Sequence, residues 1–251
     1  MKISIITATY NSEMSVKTCL DSVISQDYTD IEHLIIDGKS SDKTLNIVRF
    51  YEQKKSNIKL ISEPDNGIYD ALNKGIQLAT GDIVGFVHSD DLLANNQVVS
   101  MIANQFENEN IGGVYGDLQY VDKNNIGKII RYWKSCDFNS SLLKKGWMPP
   151  HPTLFLRKKI YDKYGRFNLA YKIAADYDFM LRILKDESLK FTYLPEVITK
   201  MRLGGASNRN LKNIFKKTKE DYRAIRSNNI GGWFSIFLKN ISKIKQFKIN
   251  L

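Results

Sequence analysis

The chain has 251 residues, of which 43% are apolar and 25% are charged, so it is long enough to bury a full core. Its two cysteines exclude a disulfide framework and a cysteine-rich metal cluster. No apolar run approaches the roughly 18 residues of a membrane span, and the N-terminal run is too short for a signal peptide. We therefore expect a cytoplasmic protein.

The net charge of +10 is concentrated at one end of the chain. Residues 211–251 contain ten Lys or Arg against Glu220 and Asp221, whereas residues 1–210 contain 27 basic and 25 acidic side chains. This asymmetry predicts a nearly neutral domain over 1–210 and a basic helical extension over 211–251. Because no nucleic-acid-binding motif accompanies the extension, the sequence does not favour a nucleic-acid partner.

Apolar, strand-like runs alternate with amphipathic segments in the first half of the chain. We predict strands at 3–8, 32–37, 58–62 and 82–88, and helices at 13–26, 42–54, 67–79 and 92–107. Four consecutive strand–helix units indicate an α/β fold with a mostly parallel central sheet flanked by helices. Ligands of such sheets bind beyond the carboxyl ends of the strands, so the polar residues that follow each strand form the candidate site.

The second half of the chain is less regular. The pattern predicts a hairpin from 113–122 and 126–133, a turn-rich loop at 146–152, strands at 153–157 and near 191–194, and helices at 158–164, 176–186 and 208–228. Gly204–Ser207 is a flexible segment before the last of these helices. One compact domain with a C-terminal extension accounts for this pattern.

Two adjacent carboxylates, Asp90 and Asp91, follow the buried strand that ends near His88. Carboxylate oxygens suit Mg²⁺ or Mn²⁺, and sites for these ions use one or two carboxylates and leave the other positions to water and substrate phosphates. The alternative is a solvated turn or a helix cap.

Four polar segments follow the predicted strands in a fixed order and spacing. They are Thr7-Ala8-Thr9-Tyr10-Asn11, Asp37-Gly38-Lys39-Ser40-Ser41-Asp42, Glu63-Pro64-Asp65-Asn66-Gly67 and Ser89-Asp90-Asp91. Together they resemble the family 2 glycosyltransferases of the GT-A fold over roughly residues 1–210. The resemblance implies transfer of a sugar, with inversion, from a nucleotide donor expected to be a UDP-sugar.

The resemblance also implies roles for individual residues. Those expected at the nucleotide are Thr7, Thr9, Tyr10, Asp37, Asp65, Lys74 and Asp90. Among them Asp37 accepts from the N–H of uracil and Asp90 faces the ribose, while Asp91 binds the Mn²⁺ or Mg²⁺ that acts on the departing UDP. The alternatives are a helix N-cap for Asp37 and ordinary strand positions for Thr7 and Thr9.

Asp176 is the candidate general base, since an ionised carboxylate near the acceptor hydroxyl can take its proton. Family members often carry an acidic pair here with an Arg six residues later, so Asp176 with Arg182 matches, whereas Ala175 replaces the acidic neighbour. Asp178 is the second candidate, and His151 lies in a loop that resembles the acceptor side of the family.

Two other functions remain open from the sequence. The substituted Ala175 would suit a catalytically inactive subunit that binds a nucleotide sugar or acts as a scaffold. A nucleotidyltransferase would be expected to carry a Gly-rich, basic loop after the first strand, which the chain lacks. The resemblance implies a hexosyl- or N-acetylhexosaminyltransferase of bacterial surface polysaccharide synthesis, and we keep this as the expected function.

The end of the chain has the pattern of a basic amphipathic helix. One face is apolar and consists of Trp233, Phe237, Ile241, Ile244 and Phe247. Lys239 and Lys243 fall opposite. Such a helix fits the inner face of the cell membrane and thus a glycan or lipid-linked glycan acceptor. In the alternative, the apolar face packs on the domain or on a second copy in a homo-oligomer.

Overall fold

The computed structural model describes residues 1–204 and 211–242. Over these ranges nine strands form one sheet. The strands are β1 (Ile3–Thr9), β2 (Ile31–Asp37), β3 (Ile58–Ser62), β4 (Ile83–Phe86), β5 (Leu92–Leu93), β6 (Ile111–Val121), β7 (Ile129–Trp133), β8 (Phe155–Arg157) and β9 (Lys190–Arg202). The helices are α1 (Val16–Ile24), α2 (Thr44–Lys54), α3 (Ile68–Leu78), α4 (Val98–Gln105), α5 (Lys158–Tyr164), α6 (Ala175–Leu184), α7 (Leu211–Ser227) and α8 (Trp233–Ser242).

The first half of the sheet is the parallel arrangement that the strand–helix alternation predicts. Its order is β3-β2-β1-β4, and all three pairings are parallel. In register, Thr9 at the end of β1 pairs with Asp37 at the end of β2. The carboxyl ends of these strands therefore lie along one edge of the sheet.

The second half of the sheet is mixed. β8 runs antiparallel to β4 and β6, β9 runs parallel to β6, and the predicted hairpin is present as β6 and β7. Short 3₁₀ helices cover Ser140–Lys145 and His151–Thr153, so the strand expected at 153–157 begins only at Phe155.

Two predicted elements were wrong in extent, both because of the same strand pairing. The helix expected over 92–107 is α4 alone, because Leu92 and Leu93 pair with Thr199 and Lys200 of β9. β9 itself has 13 residues instead of the short strand expected near 191–194. Pro195 within it lies where the β6 pairing shifts register, and a proline inside a strand obscures its pattern in the sequence.

The core lies on both faces of the sheet. Alternate residues of β1 point to opposite sides: Ile6 joins a cluster with α3, α5 and α6, whereas Ile5 joins one with α1 and α4. The C-terminal helices contribute Ala224, Ile225 and Ile236 to the first of these clusters. The described part of the extension therefore shares the core of the preceding domain.

Some of the predicted features lie outside the described residues. These are positions 205–207 of the segment expected to be flexible, the start of the helix expected at 208, and the tail beyond residue 242, which includes Lys243, Ile244 and Phe247. Within the described ranges, no helix has the length and hydropathy needed to span a membrane.

His33 in β2 makes the folded state sensitive to acid. Its side chain is fully buried, and Thr7 Oγ1 lies 2.9 Å from its Nε2 while donating to the Val87 carbonyl. Nε2 must therefore be the donor, which leaves Nδ1 without a partner among the described residues. Burial lowers the pKa of His33 from 6.5 to about 3.

We predict that His33→Gln makes the unfolding free energy less dependent on pH between about 3 and 6.5. In this window the unfolded chain binds a proton at His33 that the folded chain excludes, so stability falls with decreasing pH by up to about 1.4 kcal/mol per pH unit. Urea unfolding at pH 7.0, 5.5 and 4.5 measures the difference between wild type and variant. Parallel pH profiles for the two proteins would contradict the prediction.

Candidate active site

Direct contacts join the loops that follow the parallel strands. Beyond β1, the Asn11 amide donates to Ser40 Oγ after β2 at 2.9 Å. Ser12 Oγ lies 2.9 Å from Ser89 Oγ after β4. Asn11 and Lys39 have left-handed backbones, with φ of 48° and 65°, which residues other than glycine rarely adopt. Surrounding contacts thus hold these loops in conformations that the isolated chain disfavours.

Tyr10, Gly38 and Asp65 lie close together at this edge. The Tyr10 ring is 63% exposed, and Asp65 is half-buried with its Oδ1 accepting from the Gly67 amide at 2.9 Å. A Cβ on Gly38 would lie 2.4 Å from Asp65 Oδ2 and 3.4 Å from Tyr10 Cδ2. Only glycine therefore permits this approach, which leaves an aromatic face and a carboxylate beside exposed backbone.

Asp37 is placed differently from its expected role. Its carboxylate is fully buried and accepts from the Ser40 amide at 3.0 Å, from Ser40 Oγ, and from Ser62 Oγ at 2.7 Å. Both oxygens are thus already used within the protein, and Asp37 fixes the loop that contains Gly38. Its neighbour Thr9 is 4% exposed, and its hydroxyl is without a partner in the described part of the chain.

Two further nucleotide candidates act within the protein. The Thr7 side chain points toward α1, where its hydroxyl is bonded to Val87, so it does not line the cleft. Lys74 Nζ is 2.9 Å from Glu63 and donates to the Pro64 carbonyl at 2.7 Å. The hydrogen bond to Glu63 raises the pKa of Lys74, and these contacts hold the loop that presents Asp65.

The two carboxylates after β4 lie beside Arg202 at the end of β9. Asp91 is fully buried, and its Oδ1 accepts from the Arg202 amide at 3.2 Å. Arg202 Nη1 donates to the Asp90 carbonyl oxygen at 2.7 Å. Burial, reinforced by the charge of Asp90, raises the pKa of Asp91 well above its usual range. A cation bound at this turn would favour the ionised form of Asp91.

The chemistry of this pair fits a divalent cation completed by substrate oxygens. Asp91 Oδ2 is buried with no hydrogen-bond partner in residues 1–204 and 211–242. No group of three or more His, Cys, Asp or Glu that could hold a metal occurs in those ranges, so the protein offers no complete cage. Mg²⁺ and Mn²⁺ sites commonly use one or two carboxylates together with phosphate oxygens.

Asp176 lies in the first turn of α6, where the helix dipole favours a negative charge. It is half-buried, and the Tyr69 hydroxyl of α3 is 3.0 Å from its Oδ1. Two histidines lie near it. The rings of His88 and His151 are 5.9 Å apart, and the His151 ring stacks on Phe86 at 5.4 Å.

Burial disfavours the charged form of both imidazoles. Burial lowers the pKa of His151 to about 4 and lowers that of His88, while the charge of Asp176 opposes both shifts. His88 Nδ1 and His151 Nε2 have no partners among the residues that the structure describes. The structure thus brings His151 beside the candidate base, together with His88, which the sequence did not single out.

Asp178 and Arg182 are not brought to the cleft. In a helix two residues turn through about 200°, so Asp178 lies on the face of α6 opposite Asp176. It is 4% exposed and accepts from Asn228 Nδ2 and Arg182 Nε, each at 3.1 Å. Arg182 also donates to the backbone carbonyls of Tyr164 and Arg166. The contacts of Asp178 and Arg182 are thus made within the protein, and their expected acceptor-side roles stay predictions.

Sequence reasoning missed Arg202 and Tyr69 as well as His88. Tyr69 lies within the segment that carries the resemblance, four residues after Asp65, so a signal was present. No local sequence signal indicated Arg202, because the length of β9 depends on the pairing of this strand with β6 and β5.

Comparison with known proteins decides the family. The model of Glycosyl transferase family 2 matches residues 4–175, which contain the loops after β1, β2, β3 and β4 and end just before Asp176. The chain belongs to glycosyl transferase family 2. A PGL/p-HBAD biosynthesis glycosyltransferase of Mycobacterium bovis is 32% identical over 208 residues, which are 82% of this chain and 78% of that protein. A glycosyltransferase of Haemophilus influenzae is 30% identical over 208 residues, which are 82% of this chain and 80% of that protein.

Solved structures of the family share the fold. TarS 1–349 of S. aureus in complex with UDP-GlcNAc superimposes with a TM-score of 0.71 at 22% identity, over 91% of this chain and 65% of that one. This chain spans only 40% of the longer TarS chain. A second match is mannosyltransferase PcManGT from Pyrobaculum calidifontis in complex with GDP-Man and Mn²⁺. Its TM-score is 0.66 at 17% identity, and the match covers 99% of this chain and 70% of that one. The expected GT-A fold is confirmed.

We predict that Gly38→Ala weakens the binding of UDP while the fold is retained. The added Cβ must displace the Asp65 carboxylate at 2.4 Å, and a shift of about 1 Å in a positioning group is costly. Calorimetric titration with UDP in Mn²⁺ should show at least a roughly tenfold higher Kd, or about 1.4 kcal/mol.

The matched control for this variant is Gly232→Ala, whose Cβ would meet no atom of the described residues within 4 Å. It should bind UDP as the wild type does. If Gly38→Ala also retained the wild-type Kd, Tyr10 and Asp65 would not contact the nucleotide.

Proposed function

We propose that the chain is an inverting, metal-dependent glycosyltransferase that moves a hexosyl or N-acetylhexosaminyl group from a UDP-sugar to a glycan or lipid-linked glycan. The pathway we propose is bacterial surface polysaccharide synthesis. The observation that carries this proposal is the buried, unpartnered Oδ2 of Asp91 beside Asp90 at the edge where the four parallel strands end.

The donor side is assigned from the polar groups that remain available. The Tyr10 ring, the Asp65 carboxylate and the unpartnered Thr9 hydroxyl suit a nucleoside, while Asp37 and Lys74 hold the loops around them. Asp90 is assigned to the ribose. The solved structures with UDP, UDP-GlcNAc and GDP-Man support a nucleotide sugar as the ligand of this fold.

Asp91 would hold Mn²⁺ or Mg²⁺ together with oxygens of the donor diphosphate. When bound, the ion supplies positive charge that stabilises the departing nucleoside diphosphate. The Mn²⁺ complex of PcManGT supports this assignment. Residues of the chain position these groups. Arg202 holds the Asp90–Asp91 turn, and the loops after β1 and β2 position the nucleoside.

Asp176 is assigned as the general base. The acceptor hydroxyl oxygen bonds to the anomeric carbon, its proton passes to Asp176, and the nucleoside diphosphate leaves with the electron pair of the broken bond. The rings of His88 and His151 line this side. Ala175 is fully buried in the core whereas Asp176 is half-buried, so we assign substrate contact to Asp176 and not to position 175.

The outer face of α8 is assigned to a membrane surface. Trp233, Phe234, Phe237 and Ile241 are between 42% and 71% exposed. The opposite face packs on the domain through Ile236. α7 adds exposed Phe215 together with exposed lysines and arginines, and aromatic and basic groups on one surface suit an anionic bilayer.

One residue of this helix was wrongly placed by the sequence pattern. Lys239, expected on the solvated face, is 5% exposed, and its Nζ is 2.9 Å from buried Asp221. Burial lowers the pKa of Lys239 to about 8 in spite of this partner. Deleting the tail from residue 230 would unpair Asp221, so surface substitutions test the membrane proposal more sharply than truncation.

We predict that Asp91→Asn abolishes stabilisation by a UDP-sugar with Mn²⁺ without unfolding the protein. The amide retains an acceptor for the Arg202 N–H but lacks the charge that a cation requires. Thermal shift is measured with Mn²⁺ and UDP-glucose, UDP-galactose, UDP-GlcNAc or UDP-GalNAc, because a ligand that binds the native state raises its apparent stability. The sugar with the largest shift identifies the donor.

The control is Asp122→Asn in the exposed turn of the β6–β7 hairpin, where an amide oxygen can still accept from the backbone. An unchanged Mn²⁺-dependent shift in Asp91→Asn, or full transfer activity in excess EDTA, would contradict the proposed metal role.

We predict that Phe234→Ser with Phe237→Ser releases the protein from anionic vesicles. Both rings are exposed and stack at 6.5 Å, so their loss removes apolar area without breaking the core. Co-sedimentation with phosphatidylglycerol vesicles should exceed that with phosphatidylcholine and should weaken in high salt.

Phe50→Ser on α2, a 53% exposed ring, is the matched control and should bind as the wild type does. Equal partitioning of the double variant and the wild type would contradict the membrane role. A change from dimer to monomer in the double variant would assign this face to a second copy.

A further inference from the structure

The turn that precedes α6 is held by a residue of the C-terminal helix α7. Glu220 Oε2 accepts from three successive backbone amides: Lys172 at 3.0 Å, Ile173 at 2.8 Å and Ala174 at 3.0 Å. Successive N–H groups that converge in this way form an anion-binding concavity, and here the anion belongs to the protein itself. Two residues after this turn comes Asp176.

Tyr69 holds the same turn from the opposite side. Its Oη is 2.7 Å from the Ile173 carbonyl oxygen and 3.0 Å from Asp176 Oδ1, so its one hydrogen is shared between these two acceptors. Burial, with the charge of Asp176, raises the pKa of Tyr69 well above its usual range, so the phenol keeps its proton and remains a donor. Its ring packs against Phe167 at 5.5 Å. The backbone N–H of Ile173 thus donates to Glu220, and the backbone C=O of Ile173 accepts from Tyr69.

We propose that Glu220 and Tyr69 are positioning residues that hold Asp176 in the orientation needed for proton transfer. This inference rests on the proposed role of Asp176 as the general base. A base works only within hydrogen-bond reach of the proton that it takes, and small displacements of a reacting group reduce rates strongly. α7, which the charge distribution assigned to a separate extension, would then be part of the catalytic apparatus.

The charge pattern of the extension agrees with this role. Glu220 and Asp221 are the two acidic residues of positions 211–251, and both have partners inside the fold. Asp221 pairs with Lys239 and joins α8 to α7, while Glu220 joins α7 to α6. The acids therefore fix the two helices against the site, and basic residues dominate what remains exposed.

The first variant is Tyr69→Phe, which removes only the hydroxyl and keeps the ring against Phe167. We measure UDP release from the UDP-sugar chosen by thermal shift, with Mn²⁺ present and water as the acceptor. Loss of a hydrogen bond to a charged group should lower kcat about 10-fold or more, with donor Kd unchanged. Tyr171→Phe, whose hydroxyl lies 3.3 Å from Ser227, is the control and should retain kcat within about twofold.

The second pair of variants is Glu220→Ala and Glu220→Gln. Alanine leaves three amides without their acceptor, so kcat should fall about 10-fold or more. Glutamine keeps a carbonyl oxygen at this position and should recover most of that loss. Donor Kd, measured on the same preparations, should equal that of the wild type in both variants, because no residue assigned to the nucleotide touches this turn.

A double-mutant cycle with Asp176→Asn separates this inference from the proposed function. Asp176→Asn alone should lower kcat roughly 10²-fold or more. If Tyr69 acts through Asp176, Tyr69→Phe costs nothing further in that background. Full additivity, or wild-type kcat in both Tyr69→Phe and Glu220→Ala, would overturn the positioning role while leaving the base in place. An unchanged kcat in Asp176→Asn would instead overturn the proposed base.

Discussion

Parallel pairing of β1 with both β2 and β4 is the constraint on which the cleft depends. Because parallel strands end at the same edge, the loops that follow them meet there and hydrogen-bond to one another. Ser40 accepts from the Asn11 backbone N–H, and the Ser12 and Ser89 hydroxyls pair. The pairing leaves Asp90 and Asp91 at that edge as well. Without it, four short polar segments from distant parts of the chain would have no common surface.

The same edge carries a concentration of unfavourable groups. Asp91 Oδ2, His88 Nδ1 and His151 Nε2 are buried without a hydrogen-bond partner among the described residues. Asn11 and Lys39 have left-handed backbones. Each of these reduces the stability of the protein without a ligand, since buried polar groups normally have partners. Nucleotide, metal and acceptor would supply the missing partners, which is why such groups concentrate at functional sites.

The C-terminal helices α7 and α8 pack against the domain, which their basic charge alone does not indicate. Their basic residues are mainly on the surface, but the buried pair of Asp221 and Lys239 and the Glu220 contacts tie them to α6. One side of α8 is thus committed to the domain, and the other exposes Phe234 and Phe237. Under the proposed function, one pair of helices supports the base and also presents the surface that meets the membrane.

The sequence by itself determined the α/β alternation, the parallel strand ends and the candidate residues at them, because these follow from local periodicity and from one edge being shared. Only the tertiary structure decided which candidates face the cleft. The Thr7 hydroxyl and the Asp37 carboxylate have hydrogen-bond partners within the protein, and Asp178 turns away from Asp176 because a helix rotates about 100° per residue. Tyr69, Arg202 and Glu220 reach the site through contacts between residues 47 to 112 positions apart, and no local pattern encodes contacts of that range.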